Sequence, residues 1–231
     1  MKLPSPTISP FLHFLASFKR TPSRALLLVQ FLSLLLYPLA DGSPAGQIAT
    51  SMISVGVLGV AVWMVHQSPR DGWVATLLAV VSIGLWCGYR FGGGVGLGVG
   101  GSFFYAATYF YAAYSLITYM MQDEHTTLDE LWAAAATFML FVEAYAWLFM
   151  GTQLLQPSSF TPVALDGSQP VRTWVELLFL SGTNFSATGL SDITPVTPFA
   201  RMLCIIGQWN GVMYLAIVVA RLAGMLKPRK G

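Results

Sequence analysis

Residues 186–224 read SATGLSDITPVTPFARMLCIIGQWNGVMYLAIVVARLAG, and this stretch decides the fold of the chain. It opens as a polar loop and continues into a long apolar run, residues 197–225. Thr197 followed by Pro198 is the pattern of a helix N-cap and first-turn proline. The run is longer than the roughly 20 residues that a helix needs to cross a bilayer. The stretch therefore predicts a membrane-spanning helix that is entered from a polar loop.

The segment before this loop is apolar but too short to cross a membrane. Residues 174–180 are followed by the polar run 181–192. Thr173 and Glu176 have the spacing of a capping box at the start of a helix. Backbone that turns back inside a membrane is tolerated only where protein or water covers it. The pattern predicts a short re-entrant helix, with Glu176 either capping it or lying at an outer mouth.

Further upstream, the composition is that of a membrane protein. Hydrophobic residues make up 55% of the chain and charged residues 10%, against about 25% charged in soluble domains. The predicted fold class is an all-α membrane protein with a re-entrant pore helix between the fifth and sixth transmembrane helices. Residues 26–36 also fit the apolar core of a signal peptide, which would leave one crossing fewer. The six apolar runs of near-spanning length are 25–40, 47–65, 73–89, 102–121, 128–150 and 197–225.

Basic residues gather at both ends of the sequence. Lys2, Lys19, Arg20 and Arg24 lie in the first 24 residues, and residues 226–231 carry three more basic side chains. Because cytoplasmic segments are enriched in lysine and arginine, we expect both termini on the cytoplasmic side. The aromatic and leucine residues between positions 11 and 18 suggest an interfacial helix ahead of the first span.

Several functional classes are disfavoured by what the sequence lacks. A formal net charge of +2 suggests no nucleic-acid partner. The signature motifs of serine hydrolases and zinc proteases are absent, so we expect no enzyme, no metal site and no cofactor. The glycine-rich run 92–101 has no Gly-Lys-Ser/Thr ending, and it predicts an outer turn or a close-packed helix edge. The fourth span, 102–121, contains no arginine or lysine and is therefore not a voltage sensor.

Residues 127–225 resemble the pore region of bacterial two-transmembrane-type potassium channels. That family typically reads T-T-V-G-Y-G-D-I-T-P, followed by an inner helix that ends V-A-R-L-x-G. The resemblance implies a homotetramer in the bilayer of a bacterial inner membrane, with potassium or sodium as the permeant ion and backbone carbonyls lining a filter. The matching residues are Gly189, Asp192, Ile193, Thr194, Pro195, Tyr214, Ala220, Arg221, Leu222 and Gly224.

The resemblance also divides the chain into regions. We expect a cytoplasmic N-terminal segment (1–24), a four-helix transmembrane region (25–121), a potassium-channel-like pore domain (127–225) and a basic cytoplasmic tail (226–231). The ion-conducting filter that it implies consists of Ala187, Thr188, Gly189, Leu190, Ser191 and Asp192.

The filter departs from the family pattern at three positions. Ala187 lacks the hydroxyl of the innermost ion site, and Leu190 replaces the tyrosine that braces the filter. Ser191 replaces a glycine whose left-handed backbone costs other residues about 1 kcal/mol. Gly-Leu-Ser resembles the shorter filters of the Trk/Ktr potassium transporters. We therefore expect a tetrameric monovalent-cation channel with relaxed selectivity, or alternatively a non-conducting pore-like scaffold or regulatory subunit.

Polar residues and a glycine inside the last two spans are further candidates. Glu143 lies midway along the fifth span, where it could form a structural hydrogen bond with a neighbouring helix, link gating to a proton or ion, or simply be snorkelling or protonated. Gln208 and Asn210 in the sixth span suggest interhelical hydrogen bonds first and pore lining second. Gly211 occupies the position of a flexible hinge glycine in similar channels, and close helix packing explains it equally well.

Overall fold

The computed structural model describes residues 22–40, 44–68, 70–121, 128–161 and 171–225. Within these residues the regular secondary structure is helical, with one isolated β-bridge in the loops, which confirms the all-α prediction. The predicted interfacial helix and the basic tail lie outside the described residues. The helices are α1 (Pro22–Ala40), α2 (Pro44–Gln67), α3 (Gly72–Arg90), α4 (Val95–Met120), α5 (Leu128–Leu155), the 3-10 turn Pro157–Ser159, α6 (Trp174–Phe185) and α7 (Pro198–Met225).

Four helical segments in the described part of the chain are long and apolar enough to cross a bilayer. The apolar part of α1, Pro22–Tyr37, is shorter than these. Helix α4 has 26 residues, ample length at about 1.5 Å per residue, but it is rich in glycine, tyrosine and hydroxyl side chains. The chain is thus an integral membrane protein. The four segments are Ile48–Gln67, Gly72–Arg90, Asp129–Leu155 and Pro198–Arg221.

Helix α5 forms the centre of the structure. It packs against α1, α4, α6 and α7. Of its apolar membrane-spanning stretch, 61% is buried inside the chain. Alanines at Ala133, Ala136 and Ala144 are fully buried, and such small side chains let neighbouring helices approach closely. Near the other end of α5, a Cβ on Gly151 would lie 3.2 Å from the Cβ of Ser102 in α4. Helix α5 is therefore the frame on which the shorter helices are placed.

The glycine-rich run contains both of the features that its sequence suggests. Its first part is a turn between α3 and α4, in which Gly92 has a φ of +95°. Its second part begins α4 and packs closely on α3. A Cβ on Gly101 would lie 2.9 Å from the backbone nitrogen of Trp86, and one on Gly98 would lie 2.8 Å from the ring of Tyr89. The glycines therefore allow α3 and α4 to pack in close contact.

Helix α6 has 12 residues, which at about 1.5 Å per residue is too short to cross the hydrocarbon core. It packs between α5 and α7. The Ser181 hydroxyl donates to the Val142 carbonyl of α5 at 2.6 Å, and the Asn184 amide donates to the Cys204 carbonyl of α7 at 2.9 Å. These two bonds fix the position of α6 against both neighbours.

Candidate pore site

The start of α6 is held by the predicted capping box, which the structure confirms. The backbone nitrogen of Thr173 donates to the Glu176 carboxylate at 2.7 Å, and the nitrogen of Glu176 donates to the Thr173 hydroxyl at 3.4 Å. The same carboxylate pairs with Arg172 at 2.7 Å. Partial burial acts to raise the pKa of Glu176, but the Thr173 hydrogen bonds and the arginine outweigh it and lower that pKa overall. Glu176 therefore caps the helix as an anion.

Arg172 joins this helix start to the end of α5. Its backbone nitrogen and carbonyl both bond to the side-chain amide of Gln153, at 2.9 and 2.8 Å. Its side-chain Nε donates to the carbonyl of Thr161, just after α5, at 2.8 Å. Because Gln153 and Arg172 are both buried, these bonds are shielded from competing solvent. The first turn of α6 is thus firmly attached to α5.

At the other end of α6 the chain folds back over the helix terminus. The backbone nitrogen of Ala187 donates to Asn184, and those of Thr188 and Gly189 both donate to the Thr183 carbonyl, at 3.0 to 3.1 Å. In a trans peptide the N–H and C=O groups point in opposite directions. The carbonyls of Ala187 and Thr188 therefore point away from α6. The negative end of the helix dipole lies beside them.

Two residues of this loop have left-handed backbone conformations. They are Ala187, with a φ of +57°, and Gly189, with a φ of +66°. The strained non-glycine residue is thus Ala187, at a cost of about 1–2 kcal/mol, whereas Ser191 has no such φ. The Ser191 hydroxyl instead accepts a hydrogen bond from the nitrogen of Ile193 at 3.0 Å. The side chains from Ala187 to Leu190 are exposed, Leu190 by 74%.

The far end of the loop is anchored to the segment after α5. Ile193 is buried, whereas the neighbouring Asp192 is exposed. The backbone nitrogen of Thr161 donates to the Thr194 carbonyl at 3.0 Å, beside the isolated bridge between Phe160 and Pro195. The candidate filter is therefore a loop with two fixed ends and an exposed middle.

Helix α7 starts as the sequence predicts and touches the end of α6 at a glycine. The Thr197 hydroxyl accepts from the nitrogen of Ala200 at 3.4 Å, as an N-cap does. Further along, a Cβ on Gly211 would collide with the backbone carbonyl of Phe185, the last residue of α6. Only glycine fits this contact. Close packing therefore explains Gly211, and the hinge stays a prediction.

Polar side chains of α7 connect it to α5. Asn210 donates to the Tyr145 hydroxyl at 2.5 Å, which is the interhelical hydrogen bond that the sequence suggests. The Tyr214 hydroxyl donates to the carbonyl of Ala134 at 2.6 Å. Gln208 is exposed on the surface of this chain. Near the end of α7, Arg221 forms an ion pair of 2.9 Å with Glu130 in the first turn of α5.

Glu143 lies in the centre of α5 and is fully buried. Neither carboxylate oxygen has a hydrogen-bond partner among the described residues. Tyr37 of α1 and Tyr109 of α4 are near enough to interact with it electrostatically. The structural hydrogen bond expected for Glu143 thus has no counterpart in the described part of the chain, and its functional role stays a prediction.

The sequence analysis missed four residues that position the loop: Ser181, Asn184, Arg172 and Gln153. Ser181 and Asn184 are three positions apart on a mostly apolar short helix, so they share one face. That spacing was a usable signal for contacts with two neighbouring helices. The pairing of Arg172 with Gln153 joins residues 19 positions apart, and no local pattern indicates it.

Comparisons with known proteins concern the second half of the chain. Residues 131–227 match the family model described as an ion channel, of the two-transmembrane pore type. Protein LctB of Bacillus caldotenax is 28% identical over 109 residues, which cover 46% of this chain and 81% of the relative. No solved structure matches the chain significantly. Residues 131–227 of this chain are therefore similar to the pore domain of ion channels.

Proposed function

We propose that the chain assembles into a homotetrameric channel for monovalent cations, in which residues 187–192 of each copy meet on a common axis. The observation that carries the proposal is the direction of the Ala187 and Thr188 carbonyls, which point away from α6 beside its negative end. Carbonyl oxygens in such a row can replace the hydration shell of a cation. No cofactor takes part, and potassium or sodium is the permeant ion.

The surface of α7 supports the assembly. Only 22% of the apolar membrane-spanning stretch of α7 is buried within one chain. Large apolar side chains are exposed around most of its circumference, so this surface is available both to lipid and to a neighbouring copy of the chain. A ring of identical copies buries one face of each α7 against the next copy. These side chains include Phe199, Met202, Ile205, Ile206, Trp209, Val212, Met213, Leu215, Ile217 and Val219.

In the proposed topology α1 to α5 and α7 each cross the membrane, and α6 is re-entrant. With six crossings both termini lie on one side, which the basic ends suggest is the cytoplasm of a bacterium. The arrangement of α5 supports this. Its first turn bonds to Ser23 at the start of α1 through Asp129, at 3.1 Å, and to Arg221 near the end of α7 through Glu130, at 2.9 Å. The first and last helices therefore meet at one end of α5.

Relaxed selectivity follows from the short row of carbonyls. The left-handed positions alternate at 187 and 189 and do not continue at Ser191, where the hydroxyl bonds to the backbone of Ile193 instead. Fewer regular ion sites give less discrimination between potassium and sodium.

A non-conducting pore-like scaffold or regulatory subunit is the second candidate, and one observation favours it. The Thr188 hydroxyl, at the centre of the loop, donates to the Thr183 carbonyl at 3.2 Å and also bonds to Ser186. These bonds turn it back toward α6. Leu190, two residues further along the loop, presents an exposed apolar side chain, and apolar constrictions can close a pore by excluding water.

The test is the reversal potential of purified protein in planar bilayers with potassium opposed to sodium. The variant Ala187→Thr, Thr188→Val, Leu190→Tyr and Ser191→Gly restores the family filter and should raise the preference for potassium, or create current where the parent has none. Leu190→Tyr alone is the matched control and should do less, because Ser191 keeps its bond to Ile193. If intact tetramers of the fourfold variant keep the parent's reversal potential, this loop is not the selectivity filter.

A further inference from the structure

A cavity of about 660 Å³ lies between α2, α3 and α4, away from the candidate pore site. Its size falls within the range of about 300–1,000 Å³ that is typical of ligand sites. Its walls are mostly apolar, and the proposed function gives it no role. The lining residues are Ile48, Ser51, Met52, Val55, Trp86, Cys87, Arg90, Phe91 and Tyr105.

The cavity is polar at one end and apolar at the other. Arg90 and Phe91 lie where α3 ends, and Ile48 lies near the start of α2, so this end of the cavity is at the helix termini. Val55 lies seven residues further along α2, which at 1.5 Å per residue is about 10 Å deeper. Met52, between them, is 70% exposed. The cavity thus runs from a charged rim into an apolar interior.

Arg90 determines what kind of molecule fits. Its side chain is exposed at the rim, and a guanidinium has enough donors to bind a phosphate in addition to contacts within its own chain. The apolar interior of the cavity suits an acyl chain. The positively charged guanidinium at the membrane-surface end suits a negatively charged phosphate. We propose that this cavity binds one anionic phospholipid, with an acyl chain between α2, α3 and α4 and the phosphate at Arg90.

The deep wall of the cavity is joined to the pore helix by aromatic rings. Tyr105 stacks on Trp147 of α5 with ring centroids 4.1 Å apart, and Trp86 meets the same ring edge-on at 4.8 Å. Trp147 contacts Trp174, the first residue of α6, at 4.3 Å. Because these rings form one packed series, an acyl chain against Trp86 and Tyr105 supports the start of α6. Lipid binding should therefore stabilise the folded protein as well as occupy the cavity.

The binding test uses native mass spectrometry of the full chain in detergent, with phosphatidylglycerol and phosphatidylcholine of identical acyl chains. We expect phosphatidylglycerol to bind the parent about tenfold more tightly, a difference of about 1.4 kcal/mol. Arg90→Gln should remove this preference, and Arg90→Lys should retain part of it. Both lipids carry a phosphate and they differ in net charge, so equal binding to the parent would overturn the proposal that the cavity selects an anionic lipid.

A filling substitution tests the acyl-chain part. Val55→Trp should abolish lipid retention and the rise in thermal unfolding midpoint that added phosphatidylglycerol gives the parent. Val80→Trp on α3 is the matched control, since Val80 is 63% exposed and does not line the cavity. It should keep both effects. If Val55→Trp folds and retains phosphatidylglycerol like the parent, the cavity is not the lipid site.

Crosslinking distinguishes a lipid in the cavity from a segment of protein. A photoreactive side chain at position 52 should give an adduct with the mass of phosphatidylglycerol in vesicles made from that lipid. An adduct with a peptide from a second copy would identify the cavity as a subunit contact. An adduct with residues 1–21 would show that the chain fills its own cavity. Either peptide adduct as the main product would overturn the proposal.

Discussion

Helices α5 and α7 are almost equally apolar and yet differ in how far the rest of the chain covers them. Their spanning windows have mean hydropathies of 1.6 and 1.8, but 61% of the first window is buried and only 22% of the second. Apolar composition therefore places both helices in the membrane and says nothing about their neighbours. Four helices of the same chain surround α5. Much of the surface of α7 is left for lipid and, as we propose, for other copies of the chain.

The difference makes the few contacts that α7 has within its own chain important. They occur where glycine lets the backbone approach, at Gly211 against Phe185, and where polar groups pair. The Asn184 amide holds the Cys204 carbonyl, and Arg221 holds Glu130. If α5 is the fixed frame and α7 is attached at points, substitutions at these points should have effects out of proportion to the area they change.

The largest effect is expected for Gly211→Ala. The added methyl overlaps the backbone carbonyl of Phe185, which cannot move aside as a flexible side chain can. Overpacking of this kind costs about 1–3 kcal/mol or more, and it displaces the end of α6 from which the filter loop starts. We expect a lower thermal unfolding midpoint and loss of the assembled form in size-exclusion chromatography with light scattering.

Gly182→Ala is the control for this substitution. Its Cβ would lie 3.8 Å from Val142, an ordinary contact, and alanine favours a helix over glycine by roughly 1 kcal/mol. It should be neutral or stabilising. A Gly211→Ala variant as stable and as assembled as Gly182→Ala would mean that α7 is not attached at this point.

A smaller effect is expected where α7 meets the first turn of α5. Glu130 is 4% exposed and pairs with Arg221 at 2.9 Å. Glu130→Gln leaves a partly buried guanidinium without its charged partner, and we expect a loss of about 1–3 kcal/mol in the free energy of unfolding. Urea or thermal unfolding in a mild detergent gives this value. Arg201→Gln, an exposed arginine of the same helix, should change it by about 0.5 kcal/mol or less.

A double-mutant cycle makes this prediction sharper. Combining Glu130→Gln with Arg221→Gln should cost less than the sum of the two single changes, because the second change removes the uncompensated charge. Strict additivity would show that the two side chains are not coupled. The link between α7 and α5 at this end would then rest on packing alone.

The smallest effect is expected at the start of α6, which is attached to α5. There the stability of the protein should depend on pH. In the folded protein the pKa of Glu176 lies below its ordinary value of 4.5. The ionised carboxylate therefore stabilises the fold above pH 4.5, and this stabilisation is lost as the pH falls through the folded pKa. Between about pH 6 and pH 3 the parent should lose more stability than Glu176→Gln. Equal acid sensitivity of the two proteins would place the responsible carboxylates elsewhere.

Local patterns predicted the local structure well. The Thr173 and Glu176 capping box, the Thr197-Pro198 helix start and a short helix before a polar loop all appear in the structure. Each depends on residues a few positions apart, where backbone hydrogen bonding and side-chain spacing decide the outcome. The fourth span was less well placed, since α4 begins at Val95, inside the glycine-rich run. The sequence suggested close packing of this run but not its partner, which is α3.

In the filter loop, too, the sequence predicted one part of the structure and the tertiary contacts decided another. Gly189 is left-handed as a glycine in such a loop permits, but the strained non-glycine residue is Ala187 and not Ser191. The difference comes from the hydrogen bonds of Thr188 and Gly189 to Thr183, which fold the loop back on α6, and from the bond that the Ser191 hydroxyl makes with Ile193. Which residue bears the strain depends on both anchored ends of the loop.

The sequence by itself determined that the chain is a membrane protein, that α6 and α7 begin beside Thr173 and Thr197, and that its last hundred or so residues resemble an ion-channel pore. Hydropathy, capping and motif are properties of neighbouring residues. Only the tertiary structure decided that Gly211 meets Phe185, that Arg172 fixes α6 to Gln153 and that Glu143 lies buried. These contacts join residues from 19 to more than 25 positions apart, and their energies depend on shapes and charges that come together only when the helices pack.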